Sequence, residues 1–182
     1  LEGINFENFE SVNVLFCAGY LENYSEEIDI REWKKVFNVN LFGNLELFDF
    51  FVKKFKELKI DKNFIFFSGG GAANAFEAFP AYSASKTALV RSVENFSKSL
   101  ESYNFNIFAL APGAIKTQML DKVLKSSNVG TKTTKREVYN FIRAYLLNPN
   151  KNFNGRLIHV RDNIKTINKN LNSDFLKLRR VQ

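Results

Sequence analysis

Apolar and polar positions along the chain fall into two alternating kinds of pattern. Val12-Asn13-Val14-Leu15-Phe16-Cys17 is a β-rich run closed by Ala18-Gly19, the signature of a strand ending in a tight turn. From Asp29 to Leu58, apolar residues recur at Trp33, Phe37, Leu41, Leu45, Phe48, Val52 and Phe55. Spacings of three and four predict one long helix with a buried stripe, capped by Asp29. Phe64-Ile65-Phe66-Phe67 is apolar throughout and runs into Ser68-Gly69-Gly70-Gly71, which predicts a strand covered on both faces and then a flexible loop.

The pattern then repeats. A helix is expected from Tyr82 to about Ser102, a strand over Asn106–Leu110 and a break at Pro112-Gly113. Another helix follows over Lys135–Leu147, stopped ahead of Pro149, because the residue preceding a proline is pushed out of the α region. Arg156-Leu157-Ile158-His159-Val160 reads as a last strand. Strands alternating with long helices predict an α/β fold: a doubly wound, Rossmann-like parallel sheet in a single domain spanning 1–182. Four strands make a thin sheet of this kind, and the chain starts at Leu1 with Met119 as its one methionine, so further N-terminal strands upstream, or strands supplied by another chain, are expected.

Composition narrows the class. With 182 residues, 45% hydrophobic and 15% aromatic, the chain has enough apolar surface for a real core. No apolar run reaches the roughly 18 residues of a membrane span and no signal-peptide pattern opens the chain, so a soluble, cytoplasmic protein without a membrane partner is expected. Cys17, the one cysteine, permits no internal disulfide and is expected to be buried structure. The net charge of +7 is concentrated late, residues 151–182 carrying eight Lys or Arg against Asp162 and Asp174 and ending in a basic tail over 163–182, and no nucleic-acid signature accompanies it. Nucleic acid is therefore not expected as a partner, and no metal-ligand spacing occurs. The single histidine, His159, is expected to be a structural strand-end residue, and Trp33 with the Phe stripe to be core or interface. Lys122, Lys125, Lys132, Lys135 and Arg136 belong either to a solvated lid or to a surface that attracts an anionic ligand.

Ligands of open parallel sheets bind beyond the carboxyl ends of the strands, where Cys17-Ala18-Gly19, Ser68 with its glycines and Pro112-Gly113-Ala114-Ile115-Lys116-Thr117 converge. Tyr82 and Lys86 follow the second of these loops, and their i, i+4 spacing puts both on one helix face. Chance supplies such a pair often enough that the pair alone establishes nothing. At that end of a sheet, however, it has chemistry: an ammonium close to a phenol favours phenolate and lowers its pKa. The tyrosine could then protonate a carbonyl oxygen or deprotonate an alcohol, with Ser68 donating to the same oxygen.

In order and spacing these segments resemble the short-chain dehydrogenases/reductases, over about Val12 to Asp162. The resemblance rests on Cys17-Ala18-Gly19, Val39-Asn40-Leu41-Phe42-Gly43, Ser68, Tyr82-Ser83-Ala84-Ser85-Lys86 and Pro112-Gly113-x-x-x-Thr117. It implies an NAD(P)-dependent enzyme interconverting an alcohol and a carbonyl of a small-molecule substrate. Tyr82 would be the acid/base, Lys86 would bind the nicotinamide ribose and tune Tyr82, and Asn40 would hold a relay water. Pro112, Gly113, Ile115 and Thr117 would meet the nicotinamide, with Ala18 and Gly19 near the adenosine side. The resemblance further implies a homodimer or homotetramer through the helices bearing Asn40 and Tyr82. NAD and NADP are both compatible with it.

Three departures stand out. The family's glycine-rich phosphate loop is not among these residues; Cys17 replaces the usual asparagine; and the position thirteen before Tyr82, where the family carries serine, is Gly69. Ser68 lies fourteen before, in register only if the loop holds one extra residue. A sugar-nucleotide epimerase or dehydratase of the same superfamily, and a catalytically inactive binding subunit, are the alternative readings.

Overall fold

Val12, Val14 and Phe16 alternate with Asn13 and Leu15 in β1 (Ser11–Phe16), and the strand follows that alternation. The first set packs into an aromatic-rich core, while Asn13 and Leu15 face outward. This computed structural model describes residues 3–127, 131–169 and 176–178. Beside β1 lie β2 (Asp61–Phe67) and β3 (Phe105–Ala111), then the short β6 (Leu157–His159), all parallel in the order β1-β2-β3-β6. Every residue of β3 is buried, as an apolar strand between two layers must be.

The stretch expected as one helix is α1 (Ile30–Phe37), a π turn over Asn38–Phe42 and α2 (Gly43–Phe55). Asp29 caps it, its side chain accepting from the N–H of Arg31. The next helix, α3 (Pro80–Ser99), starts two residues earlier than Tyr82 because Pro80 fits the first turn, where no N–H is needed. Asn104, left-handed at φ 60°, ends the turn that follows it and feeds β3. Helices α1, α2 and α3 cover one face of the sheet, with Phe48, Phe55, Leu89 and Val93 against Phe16, Phe64 and Phe66. On the opposite face Tyr145 of α5 (Lys135–Leu147) and Ile167 of α6 (Ile164–Lys169) meet Ile65, Phe108 and Leu110. The fold is thus the doubly wound α/β arrangement that the alternation predicts. Of the basic tail, 170–175 and 179–182 lie outside the described residues.

Between β3 and α5 two features were not anticipated. β4 (Ala114–Ile115) pairs in parallel with β5 (Lys132–Thr133), and the short helix α4 (Gln118–Val123) lies between them in the chain. Thr117 starts α4 by accepting from the N–H of Leu120.

Candidate active site

The loops after β1, β2 and β3 surround a cavity of about 820 Å³ at the carboxyl ends of the strands. Cys17, Gly19, Ser68, Gly69, Tyr82, Lys86, Pro112, Gly113, Ile115 and Thr117 all line it, so the residues singled out in the sequence converge, except Asn40 and Ala18.

Asn40 lies behind the cavity, within the π turn. It is fully buried, and its side chain serves the chain after β1: Oδ1 accepts from the Tyr20 N–H at 2.6 Å, and Nδ2 donates to the Tyr20 carbonyl at 2.9 Å and to Ser85 Oγ at 3.0 Å. A π turn disturbs the regular ladder of helix hydrogen bonds. Asn44 Nδ2 serves carbonyls there, donating to Val39 and Asn40 and reaching Ala18. The amide of Asn40 is therefore spent on anchoring Tyr20 to α3, and the carbonyls of Ala18 and Asn40 share Asn44.

Lys86 is buried in α3, and its Nζ donates to the Phe67 carbonyl at 2.8 Å. Burial pushes its pKa down to about 8. Its Nζ lies 5.8 Å from the centre of the Tyr82 ring. The expected lowering of the tyrosine pKa does not follow from this arrangement. Burial first, and the carboxylate of Glu22 second, push Tyr82 up to about 12.

Glu22 is the residue that sequence reasoning missed. It is buried and accepts hydrogen bonds from the backbone N–H groups of Ala81 and Tyr82, at the start of α3. No spacing marks it; an acid nearly sixty positions from its partners carries no local signal.

Gly69, not Ser68, adjoins the tyrosine hydroxyl in this structure. A Cβ built on Gly69 would stand 3.2 Å from the Tyr82 hydroxyl oxygen. Ser68 ends its strand with Oγ closed off from solvent and without a hydrogen-bond partner. Ser68 lines the cavity, but its Oγ makes no hydrogen bond to Tyr82 here.

Cys17 corrects another expectation. It is exposed, because it continues the outward-facing series Asn13, Leu15 of β1. Desolvation raises its pKa and the nearby Lys86 opposes that. Gly113, at φ 77°, needs glycine twice over, since a Cβ would fall 2.2 Å from Thr133 Oγ1. His159 also lines the cavity. Its Nδ1 accepts from the Arg161 N–H, and burial together with Arg161 lowers its pKa, which leaves it neutral at pH 7. Lys122, Lys125, Lys132, Lys135 and Arg136 are exposed and outside the lining. Among the described residues there is no cluster of three His, Cys, Asp or Glu side chains suited to a metal. No helix among them is long and apolar enough to cross a membrane.

With the fold and cavity in place, comparison with known proteins identifies the class. Residues 5–128 match the short chain dehydrogenase family, and the chain belongs to it. Among curated relatives, an uncharacterised oxidoreductase of Schizosaccharomyces pombe is 30% identical over 118 residues, covering 64% of this chain and 46% of that protein. A benzil reductase ((S)-benzoin forming) of Saccharomyces cerevisiae is 28% identical over 95 residues, covering 52% and 36%. The chain spans about half the length of such relatives or less. Among solved structures, a 4-hydroxyisoleucine dehydrogenase complexed with NADH superposes with a TM-score of 0.69 at 22% identity, over 81% of this chain and 66% of that one. ElxO with NADP bound gives 0.67 at 19% identity, over 81% and 64%. These likenesses establish a common Rossmann-type fold.

Proposed function

We propose that this chain carries the catalytic half of an NAD(P)-dependent oxidoreductase that interconverts an alcohol and a carbonyl, with Tyr82 as acid/base. The observation that carries the reading is the placement of Tyr82 and Lys86 together in a cavity ringed by the β1, β2 and β3 loops. Relatives named as oxidoreductases, and structural neighbours whose titles include NADH or NADP, support it.

The cavity suits the nicotinamide end of such a cofactor. Gly19 lines the cavity beside Lys86, its Cβ position 3.8 Å from Nζ and 3.9 Å from Met119. Lys86 would hold the ribose hydroxyls, with Pro112, Gly113, Ile115 and Thr117 along the ring. A nicotinamide bound there supplies or accepts the hydride. A phenol held near 12 is protonated at pH 7, so Tyr82 stands ready to give its proton to a carbonyl oxygen. In the reverse direction it takes the proton of the alcohol. Lys86, near 8, keeps most of its charge at pH 7 and favours the anionic state of Tyr82 during transfer. Exposed Phe42, Leu47 and Phe50 along the π turn and α2 support pairing with a second copy through these helices, to be checked by light scattering.

The test uses the full natural protein with NADH and NADPH. Tyr82→Phe should lower turnover by about 10²–10⁴ while nucleotide affinity stays within about twofold. Undiminished turnover would reject the acid/base role.

A further inference from the structure

Around Tyr82 the cavity has an apolar wall. Leu21, Leu120 and Val123 form one apolar cluster on Phe79, and Phe76, Met119 and the Tyr82 ring pack against it. Lys86 is the one charged side chain lining the cavity among the described residues, and its Nζ is engaged by the Phe67 carbonyl. Neighbouring charges are turned elsewhere. Glu22 is taken up by the start of α3, and Lys122 reaches outward to Asn23 Oδ1. A carboxylate or phosphate seated against this wall would lose its hydration, and the one cation lining the cavity, Lys86, is taken in the reading above by the ribose hydroxyls and by Tyr82 during proton transfer.

We infer that the substrate is an uncharged, apolar ketone or the matching secondary alcohol, its hydrocarbon group seated against Phe76, Leu120 and Val123. This rests on the oxidoreductase reading above. In the reducing direction, a hydride from NAD(P)H adds to the carbonyl carbon and the proton of Tyr82 goes to the oxygen. The products are the secondary alcohol and NAD(P)⁺, and Tyr82 regains its proton from solvent.

Acetophenone and 4-acetylbenzoate share the reacting ketone and differ by one carboxylate. With the full protein and its preferred cofactor, kcat/KM should favour acetophenone by about 100-fold. Leu120→Arg should cut that ratio at least about tenfold by supplying a counter-charge; since Leu120 is buried, Phe76→Arg at a half-buried position is the second variant. Equal efficiency, or preference for 4-acetylbenzoate, overturns the substrate class while leaving the oxidoreductase reading intact. If no ketone or alcohol turns over, that reading fails and binding decides the class. Acetophenone at millimolar concentration should then raise the melting temperature more than 4-acetylbenzoate does, and the reverse order overturns it.

Discussion

Glu22 and Tyr82 are joined through the backbone at the first turn of α3. Oε1 of Glu22 accepts from the Ala81 N–H at 2.8 Å and the Tyr82 N–H at 3.1 Å, and Oε2 also meets the latter at 3.1 Å. Two of the N–H groups that a helix start leaves unpaired are thereby satisfied, and a negative charge sits at the positive end of a 20-residue helix. The same charge disfavours the phenolate of Tyr82. One buried acid therefore anchors the turn that carries the tyrosine and adds to the larger effect of burial in holding its proton.

Glu22→Gln separates these effects. One amide oxygen still accepts, but the charge is gone and an NH₂ group faces a backbone N–H. Denaturant unfolding should show a loss of about 1–3 kcal/mol. Without the negative charge the tyrosine pKa falls, so alcohol oxidation, which needs phenolate, should rise at lower pH than in the parent protein. A pH–rate profile that does not move would remove the electrostatic part of this account.

Lys86 places function against stability. Its pKa in the fold, about 8, lies below the ordinary 10.5, so burial of its charge weighs fully against folding below pH 8. That penalty is relieved as pH rises from 8 towards 10.5, where the folded protein sheds the proton before the unfolded chain does. Lys86→Met should therefore stabilise the protein at pH 7, by about 1–3 kcal/mol, a few degrees in melting temperature. The advantage should shrink across pH 8–10.5, and turnover should be lost. Thermal scans along a pH series would expose a wrong sign at once.

The sheet and its helices were legible because long apolar runs have few alternatives to burial between layers. Phe64–Phe67 and Asn106–Leu110 lie within buried strands, and the stripe from Phe37 to Phe55 is helical as its period demands. The π turn at Asn38–Phe42 left no mark, since one widened turn does not disturb three-and-four spacing on either side. Cys17 was misjudged because a run of apolar letters does not say which face of an edge strand is covered. The tyrosine–lysine pair was visible as a pattern, but its electrostatics were not: those depend first on burial and, for Tyr82, then on Glu22, both brought about by tertiary structure alone. Counting residues placed Gly69 thirteen before Tyr82, and only the backbone path could tell whether Gly69 or Ser68 adjoins the hydroxyl.

Asn40 offers a local test of the π turn. The Tyr20 N–H reaches Asn40 Oδ1, and the Tyr20 carbonyl takes Asn40 Nδ2. Asn40→Ala removes both and leaves Ser85 Oγ without that donor, a loss of about 2–4 kcal/mol for a fully buried amide. Amide exchange at Tyr20 should accelerate by at least about tenfold, beyond any change at the core amide of Ile65. Unchanged protection at Tyr20 would mean that the loop is held by other contacts.

Gly69 is where the site can be improved. A Cβ there would lie 3.2 Å from the Tyr82 hydroxyl oxygen, tight contact that a small shift of the phenol can relieve. Gly69→Ser would bring a hydroxyl beside Tyr82, able to donate to the same substrate oxygen. A donor of that kind is worth about 10²–10³ in turnover where it is fully aligned, so a gain of at least about tenfold is expected. Ser68→Ala should leave turnover within about twofold, because its Oγ is sealed from solvent and unpartnered, and removing an unsatisfied buried hydroxyl should not destabilise the fold. The opposite pair of results, a silent Gly69→Ser and an inactive Ser68→Ala, would mean that the loop rearranges on binding and that Ser68 is the donor after all.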